Sequence, residues 1–557
     1  MVGRSVASLG YRVAAAMVLV ACGTDASEPS DAGAAADGTV DGDLDGSPLP
    51  NLDAATDADA AVSCPPYQTR CNGQCIPITV DPKNCGGCGV QCPPTQVCSA
   101  GTCANDCLPG LSKCNGFCVD FQTDDGNCGS CGNKCPPTEG CVAGTCKPAL
   151  VLKGGPNNCP NGGGPQSFDN TDTNCTGTIA ATTFAWALCS CTDITLTSSF
   201  TTVGFDSSNK SQGKLGAGVG LDKTFTASSA VDVGGSLFAS SQNGLTSGST
   251  SWVRQELQVG GNLTTQTFDV GDNGTVGGNV TGSKLTFAKT LTVSPSSTIS
   301  AGVTYSKLVK QAVSVPPPCD CTKPLPISSW VSFRKTQNDN ASVVPALDPT
   351  VLAASNANQP ARIDLPCGSY YLDAIAAKGP LTIYAHGHTV LYIGGDVSTG
   401  SFIAFGLDPT ATFDVVIGGT LTTSALFKIG SPNYPALSRT YVGTTGNLTI
   451  TSNGVFATNL YAGRANVLFT SNSDTYGSIF AGNFTDTSDT LIRYDRAVVT
   501  VGQECPQKPG PDAGGCGSCK DCGNQACING TCGQCSSSSQ CCPPLQCFNG
   551  TCALQPN

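Results

Sequence analysis

Residues 257–294 read LQVGGNLTTQTFDVGDNGTVGGNVTGSKLTFAKTLTVS. Leu, Val and Phe alternate with Thr, Gln and Lys in short runs, and each run stops at Gly or Asn. Alternation closed by turn residues predicts short strands rather than helices. One corner recurs across the region: VGGSL at 233, VGGNL at 259, VGGNV at 276, IGGDV at 393 and IGGTL at 417. A β-branched residue, two glycines and a returning apolar residue describe a strand that enters a tight corner and resumes inward. Gaps of 26 and 17 residues fit the rungs of an irregular parallel β-solenoid, whose stacked turns bury a continuous narrow core. The expected fold class is therefore mainly β: a right-handed parallel β-helix or β-solenoid over residues 150–504, with a β-sandwich as the alternative because the period is loose. Helix is expected only near 370–378.

Before this region the chain repeats itself. Cys64, Cys71, Cys75, Cys85, Cys88, Cys92, Cys98 and Cys103 are followed, each 43 residues later, by Cys107, Cys114, Cys118, Cys128, Cys131, Cys135, Cys141 and Cys146. The period defines two modules, 64–103 and 107–146, too small and too poor in Leu, Ile and Phe to build a core. Crosslinks must restrict the unfolded chain instead. Eight cysteines allow 105 pairings, which sequence leaves open. Cys85-x2-Cys88 and Cys128-x2-Cys131 have zinc-like spacing, but the even count and the absence of a nearby His favour disulfides. A third cysteine-rich block, 505–557, ends in CCPPLQCFNGTC, an echo of CPPTQVCSAGTC. The central region holds seven cysteines, so if all of them pair, one reaches outside it, with Cys505 the obvious partner.

At the N-terminus, Arg4 and Arg12 precede the apolar run VAAAMVLVA and then Cys22. The run is too short to span a bilayer stably and reads as a signal peptide over 1–21. Leu19-Val20-Ala21-Cys22 resembles the bacterial lipobox, which implies lipidation of Cys22 and attachment to a membrane through acyl chains. Gly23 in the next position favours an outer-membrane or cell-surface destination. Residues 23–63 carry ten acidic and no basic side chains, so 22–63 reads as a lipidated cysteine followed by a disordered acidic tether. Asp41, Asp43 and Asp45 imitate a calcium loop, but Leu52 stands where the bidentate Glu is required.

The modules resemble Stig1-type cysteine-rich repeats, which also occur in myxobacterial surface proteins. The resemblance implies an extracellular module and carries no chemistry. The stretch YGSIFAGNFTDTSDTLIRYDRAV, 476–498, resembles the end of the bacterial surface domain DUF7305 through Tyr476, Gly477, Ala481, Tyr494 and Asp495. That likeness would span roughly 180–500 and likewise implies no activity.

With 28 basic and 40 acidic residues, the net charge of −12 argues against nucleic acid as a partner. No Walker loop, dinucleotide fingerprint, G-x-S-x-G elbow or HExxH is present, so neither a nucleotide nor any cofactor is expected. His386 and His388, in YAHGHTVLY, would share one face of a strand; they are weak metal candidates, with Asp373 or Asp396 as third ligands, and the plain reading is an outward polar ladder. Asp232, Asp269, Asp272, Asp364, Asp373 and Asp396 are the carboxylates from which a glycan-cleaving pair would have to come. Tyr370, Tyr371, Tyr384, Tyr392, Tyr434, Tyr441, Tyr461 and Tyr476 gather in the second half, where exposed rings would suit sugar or protein contacts. The expected function is a surface lipoprotein acting as adhesin, scaffold or outer-layer component that binds glycan or protein. An extracellular polysaccharide hydrolase or lyase is the alternative.

Overall fold

The computed structural model describes Cys64, residues 68–156, 166–169, 174–207, 215–423, 426–450, 454–471 and 473–501, and short pieces between 526 and 553. The segments expected to be a signal peptide and an acidic tether, with Cys22, Cys159, Cys505 and most of the C-terminal block, lie outside these residues.

Each cysteine module is two β-hairpins around a knot of sulfur. In the first, Thr69–Cys71 pairs with Gln74–Ile76 and Val97–Ser99 with Thr102–Ala104. The Asn72-Gly73 turn has both residues at positive φ, 51° and 82°, the backbone a two-residue hairpin demands. The disulfides are Cys64–Cys75, Cys71–Cys88, Cys85–Cys98 and Cys92–Cys103, and the second module repeats them as Cys107–Cys118, Cys114–Cys131, Cys128–Cys141 and Cys135–Cys146. The two cysteines of each C-x2-C thus go to different partners, and all sixteen expected cysteines are bridged. Two C-terminal hairpins set Cys527 opposite Cys532 and Cys547 opposite Cys552, the register of Cys98 with Cys103.

The rest is a β-solenoid with three strand rows per turn, all parallel. Alternation does what the sequence promised: in Leu263–Val270 the buried residues include Leu263, Thr265, Phe268 and Val270. The glycine pairs sit where successive turns touch backbone to backbone. A Cβ on Gly277 would lie 2.1 Å from the Gly260 carbonyl oxygen, and one on Gly260 equally close to that of Ser240. The 17-residue gap is one turn, since Val259 faces Val276. The 26-residue gap is not: Val233 faces Val253, and Val259 lies in another row. A 24-residue gap is a turn as well, with Ile393 facing Ile417.

Chain order and stacking order differ. The first half starts at Leu188–Ser190 and climbs turn by turn to Val303–Lys310. A return segment then leads to Arg362–Leu365, and the second half winds to Thr490–Asp495. There its last turn meets the first turn of the other half: Leu188 pairs with Ile479, Ile194 with Phe484 and Phe200 with Thr490. One ladder therefore runs through both halves across a seam. Disulfides Cys189–Cys319 and Cys191–Cys321 fasten the return segment beside it, and Cys175 and Cys367 each take part in a disulfide as well. The far end of the second half is closed by the strand Thr145–Val151, which leaves the second module's last hairpin and pairs in parallel with Arg362–Asp364.

Helix is sparse but not where it was expected. Within 370–378 the chain instead forms parts of two strands, Gly368–Leu372 and Ile375–Ala377, because ladder pairing overrides local helix preference. Among the described residues the α-helices are α1, Thr176–Thr183, and α2, Ile327–Arg334. Helix α2 lies against the strands Gly368–Leu372, Thr389–Ile393 and Phe413–Ile417, with Trp330 stacked on Phe168 at 4.2 Å.

Candidate functional site

The tyrosines do gather, but most of them are buried, and Tyr441 lies edge-on to Trp330 of α2. Ladder register lines up Tyr371, Tyr392, Val416, Tyr441, Tyr461 and Phe480 in one row. Tyr370, Tyr371, Tyr392, Tyr434, Tyr441, Tyr461 and Tyr476 are all buried. In place of an exposed patch the row forms an aromatic rib: Tyr461 accepts from the Leu325 amide of the return segment, and Tyr392 donates to the carbonyl of Phe168, which precedes α1.

The charged candidates converge at one corner. His386 and His388 lie in the bend between Leu381–Ala385 and Thr389–Ile393, not on a strand, and they turn to different partners. His386 Nδ1 meets Asp408 Oδ2 at 2.9 Å and Nε2 meets Asp364 Oδ1 at 3.3 Å. Burial draws its pKa down, but the two carboxylate hydrogen bonds and their charges prevail and push it up to about 9. At neutral pH the ring is an imidazolium with both nitrogens engaged, so it offers no lone pair to a metal or a proton. His388 bonds Thr412 Oγ1 at 2.8 Å and stays neutral, burial and the Arg439 charge lowering its pKa to about 4.

Asp364 opens onto the second module. Arg362, 1% exposed, sits between Asp364 at 2.9 Å and Asp125 of the module at 2.8 Å. It also donates to the Thr123 and Cys141 carbonyls, and its guanidinium lies 4.7 Å over the Tyr384 ring. Burial opposes ionisation of Asp364, yet the His386 hydrogen bond and the Arg362 charge hold it below the usual carboxylate range. Burial raises Asp125 despite the Cys141 amide and Arg362. Three strands on in the same row, Lys428 repeats the device, reaching Asp120 at 2.5 Å and the Gly110 carbonyl at 3.3 Å. Two buried solenoid cations thus pin the module. Between module and solenoid remains a cleft of about 300 Å³ whose walls include Phe117, Asp124, Tyr384, Asp408 and Tyr434.

None of the other expected carboxylates joins this corner. Asp232 pairs with Arg254, Asp272 with Lys289, and Asp396 caps Thr420 one turn away. Asp373 and Asp396 do not join the histidines; Asp408 takes that place. Its signal was legible: Asp364, His386 and Asp408 follow at equal steps of 22 residues. Asp125 had no such signal, because module docking leaves no period.

The motif residues lie at the seam. Ala481 faces Ser190, Tyr494 faces Gly204 and Asp495 faces Phe205. Tyr494 donates to the Phe184 carbonyl at 2.7 Å; Asp495 accepts from the Ser207 amide and hydroxyl and from the Ala497 amide. Gly477 has φ 122°, and a Cβ there would lie 2.4 Å from the Thr458 carbonyl oxygen. Tyr476 carries Arg493 5.7 Å over its ring.

Comparisons with known families agree with this division. The stigma-specific STIG1-like protein family matches residues 52–106 and 100–149, and a domain of unknown function (DUF7305) matches 330–501. The chain carries a Stig1-like cysteine-rich region and a DUF7305 domain. The second match begins in α2 and ends just past the seam, so it covers the second half of the solenoid and not the wider span expected from sequence. No curated protein and no solved structure matches the chain. Dense disulfides together with the Stig1-like region mark an extracellular or surface protein. No helix among the described residues is long and apolar enough to cross a membrane.

Proposed function

We propose that this protein is a lipid-anchored surface scaffold or adhesin, held at Cys22 and presenting a stiff solenoid to extracellular glycan or protein. The observation that carries the reading is the pinning of the second module by Arg362 and Lys428. Buried cations and a shared strand join the second module and the solenoid into one body, which suits a spacer or a display surface. The clustered ionisable groups are spent on that joint: the imidazolium between two carboxylates holds a structure together and has no free site for chemistry.

Purified oxidised protein incubated with bacterial and environmental polysaccharides tests this. Retention without new polymer ends is the expected result. New ends above a heat-killed control would overturn it in favour of a polysaccharide hydrolase or lyase. Anchoring is tested separately by feeding labelled palmitate to expressing bacteria: label should enter the unaltered chain and vanish in Cys22→Ser.

A further inference from the structure

A second cleft, of about 690 Å³, lies where the first loop of the second module, at Pro109-Gly110, meets the seam. Its floor is a single ladder row that crosses from one half to the other: Asp474 faces Leu491, and Leu491 faces Thr201. One wall is Pro109-Gly110 against Gly454-Val455, so close that a Cβ on Gly110 would fall 2.0 Å from a Val455 methyl. The opposite wall is the corner where the Ser199 amide donates to Asp489 at 3.1 Å. The second module and both halves all contribute, so the cleft exists only in the assembled molecule.

We propose that this cleft binds a neutral oligosaccharide, an inference that rests on the adhesin reading and names its ligand class and site. The volume falls in the range of small-ligand sites and exceeds what one sugar ring fills. Leu491, Val455 and Pro109 offer apolar surface to the C–H face of a ring. Ser199, Thr201 and Asp489 stand at the edges, where ring hydroxyls point. Asp474 is half-buried, and among the described residues it has neither an ion-pair nor a hydrogen-bond partner. A partly desolvated carboxylate without donors is unfavourable, and a pair of sugar hydroxyls supplies them. No Lys or Arg lines the cleft, and two carboxylates do, so acidic sugars are excluded by charge.

The test is calorimetric titration of the full oxidised chain, in EDTA, with cellopentaose, maltopentaose, chitopentaose and tetragalacturonate. At least one neutral sugar should bind with Kd below about 1 mM, and tetragalacturonate should not. Asp474→Asn and Leu491→Glu should each weaken binding about tenfold or more while the melting temperature of Asp474→Asn is unchanged or raised. Absence of neutral-sugar binding, equal binding by both variants, preference for tetragalacturonate, or binding that needs added calcium would each overturn the proposal. Retention of the protein on insoluble polymer with no oligosaccharide binding also removes this site, while leaving the adhesin reading in place.

Discussion

Ile479 is the ladder partner of Leu188, and both are fully buried. That pairing joins the last turn of one half to the first turn of the other, and the DUF7305 motif is built around it. Around the joint, Ser478 Oγ donates to the Trp186 carbonyl, and the Thr192 hydroxyl donates to Asn483, which donates to Asn466, which donates to Asn447.

Gly477 turns the chain into the seam at a φ that side chains rarely adopt, against a carbonyl with no room for Cβ. Gly477→Ala should cost about 2–4 kcal/mol, from strain plus displaced backbone. Thermal unfolding reads this directly. A melting temperature equal to that of the unaltered protein would show that the motif glycine has some other role.

Arg362 balances two carboxylates, one from each side of the module joint. Arg362→Met leaves Asp364 and Asp125 facing one another with only His386 for compensation. Removing one member of a buried pair costs about 3–5 kcal/mol. The effect should be local: hydrogen exchange should speed up at Thr123–Cys141 and leave the amides of Leu257–Val259 protected. Uniform acceleration throughout the chain would contradict a local clasp.

Stability should depend on pH with a definite sign. Burial pushes Asp414, Asp486 and Asp495 each up to about 6, above the unfolded carboxylate value. The folded state therefore holds these protons more tightly. Their contribution is full below the unfolded value, near 3.8, and is lost as pH rises through about 6. His386 follows the same sign at higher pH: its contribution is full below 6.5 and lost as pH rises through about 9. His388 opposes the acid limb, since its contribution is present above 6.5 and lost as pH falls through about 4. Melting temperature should thus fall between pH 7 and 9 in the native chain and be flatter in His386→Gln. Parallel curves for the two proteins would refute the assignment.

The outer end of the first half is a strand edge, Val303–Lys310, paired on one side among the described residues. Lys310 occupies the position that Val293 fills with a buried side chain one turn earlier. A lysine there guards an edge that would otherwise stack on another copy. Lys310→Val should associate more strongly than the unaltered chain in sedimentation velocity as concentration is raised. Identical sedimentation of both proteins would count against a guarding role.

The parallel solenoid was legible because Gly-Gly corners and two-residue alternation are local consequences of stacking. The modules were legible because cysteine spacing repeats without error, although their pairing was not. What sequence hid was long-range. Nothing in the text of 311–361 announces that α2 will cover the tyrosine rib, since ISSWVSFR is a poor helix by propensity and is held by Trp330 stacking on Phe168. Nothing announces that Ile479 will find Leu188, because the seam lies between turns far apart in the chain. At the candidate site, Asp408 was readable from equal steps, while Asp125 belongs to a surface whose docking has no period.

The seam also has a consequence in time. Turn 188–205 is made early, and the turn that completes it, 479–495, is made last. Until nearly the whole chain has been delivered, an apolar parallel edge stands bare in the middle of a half-finished stack. Such edges recruit other chains. Secretion of this protein is therefore a race between its own final turn and its neighbours, and a holding factor that shields residues 188–205 during export would decide the yield.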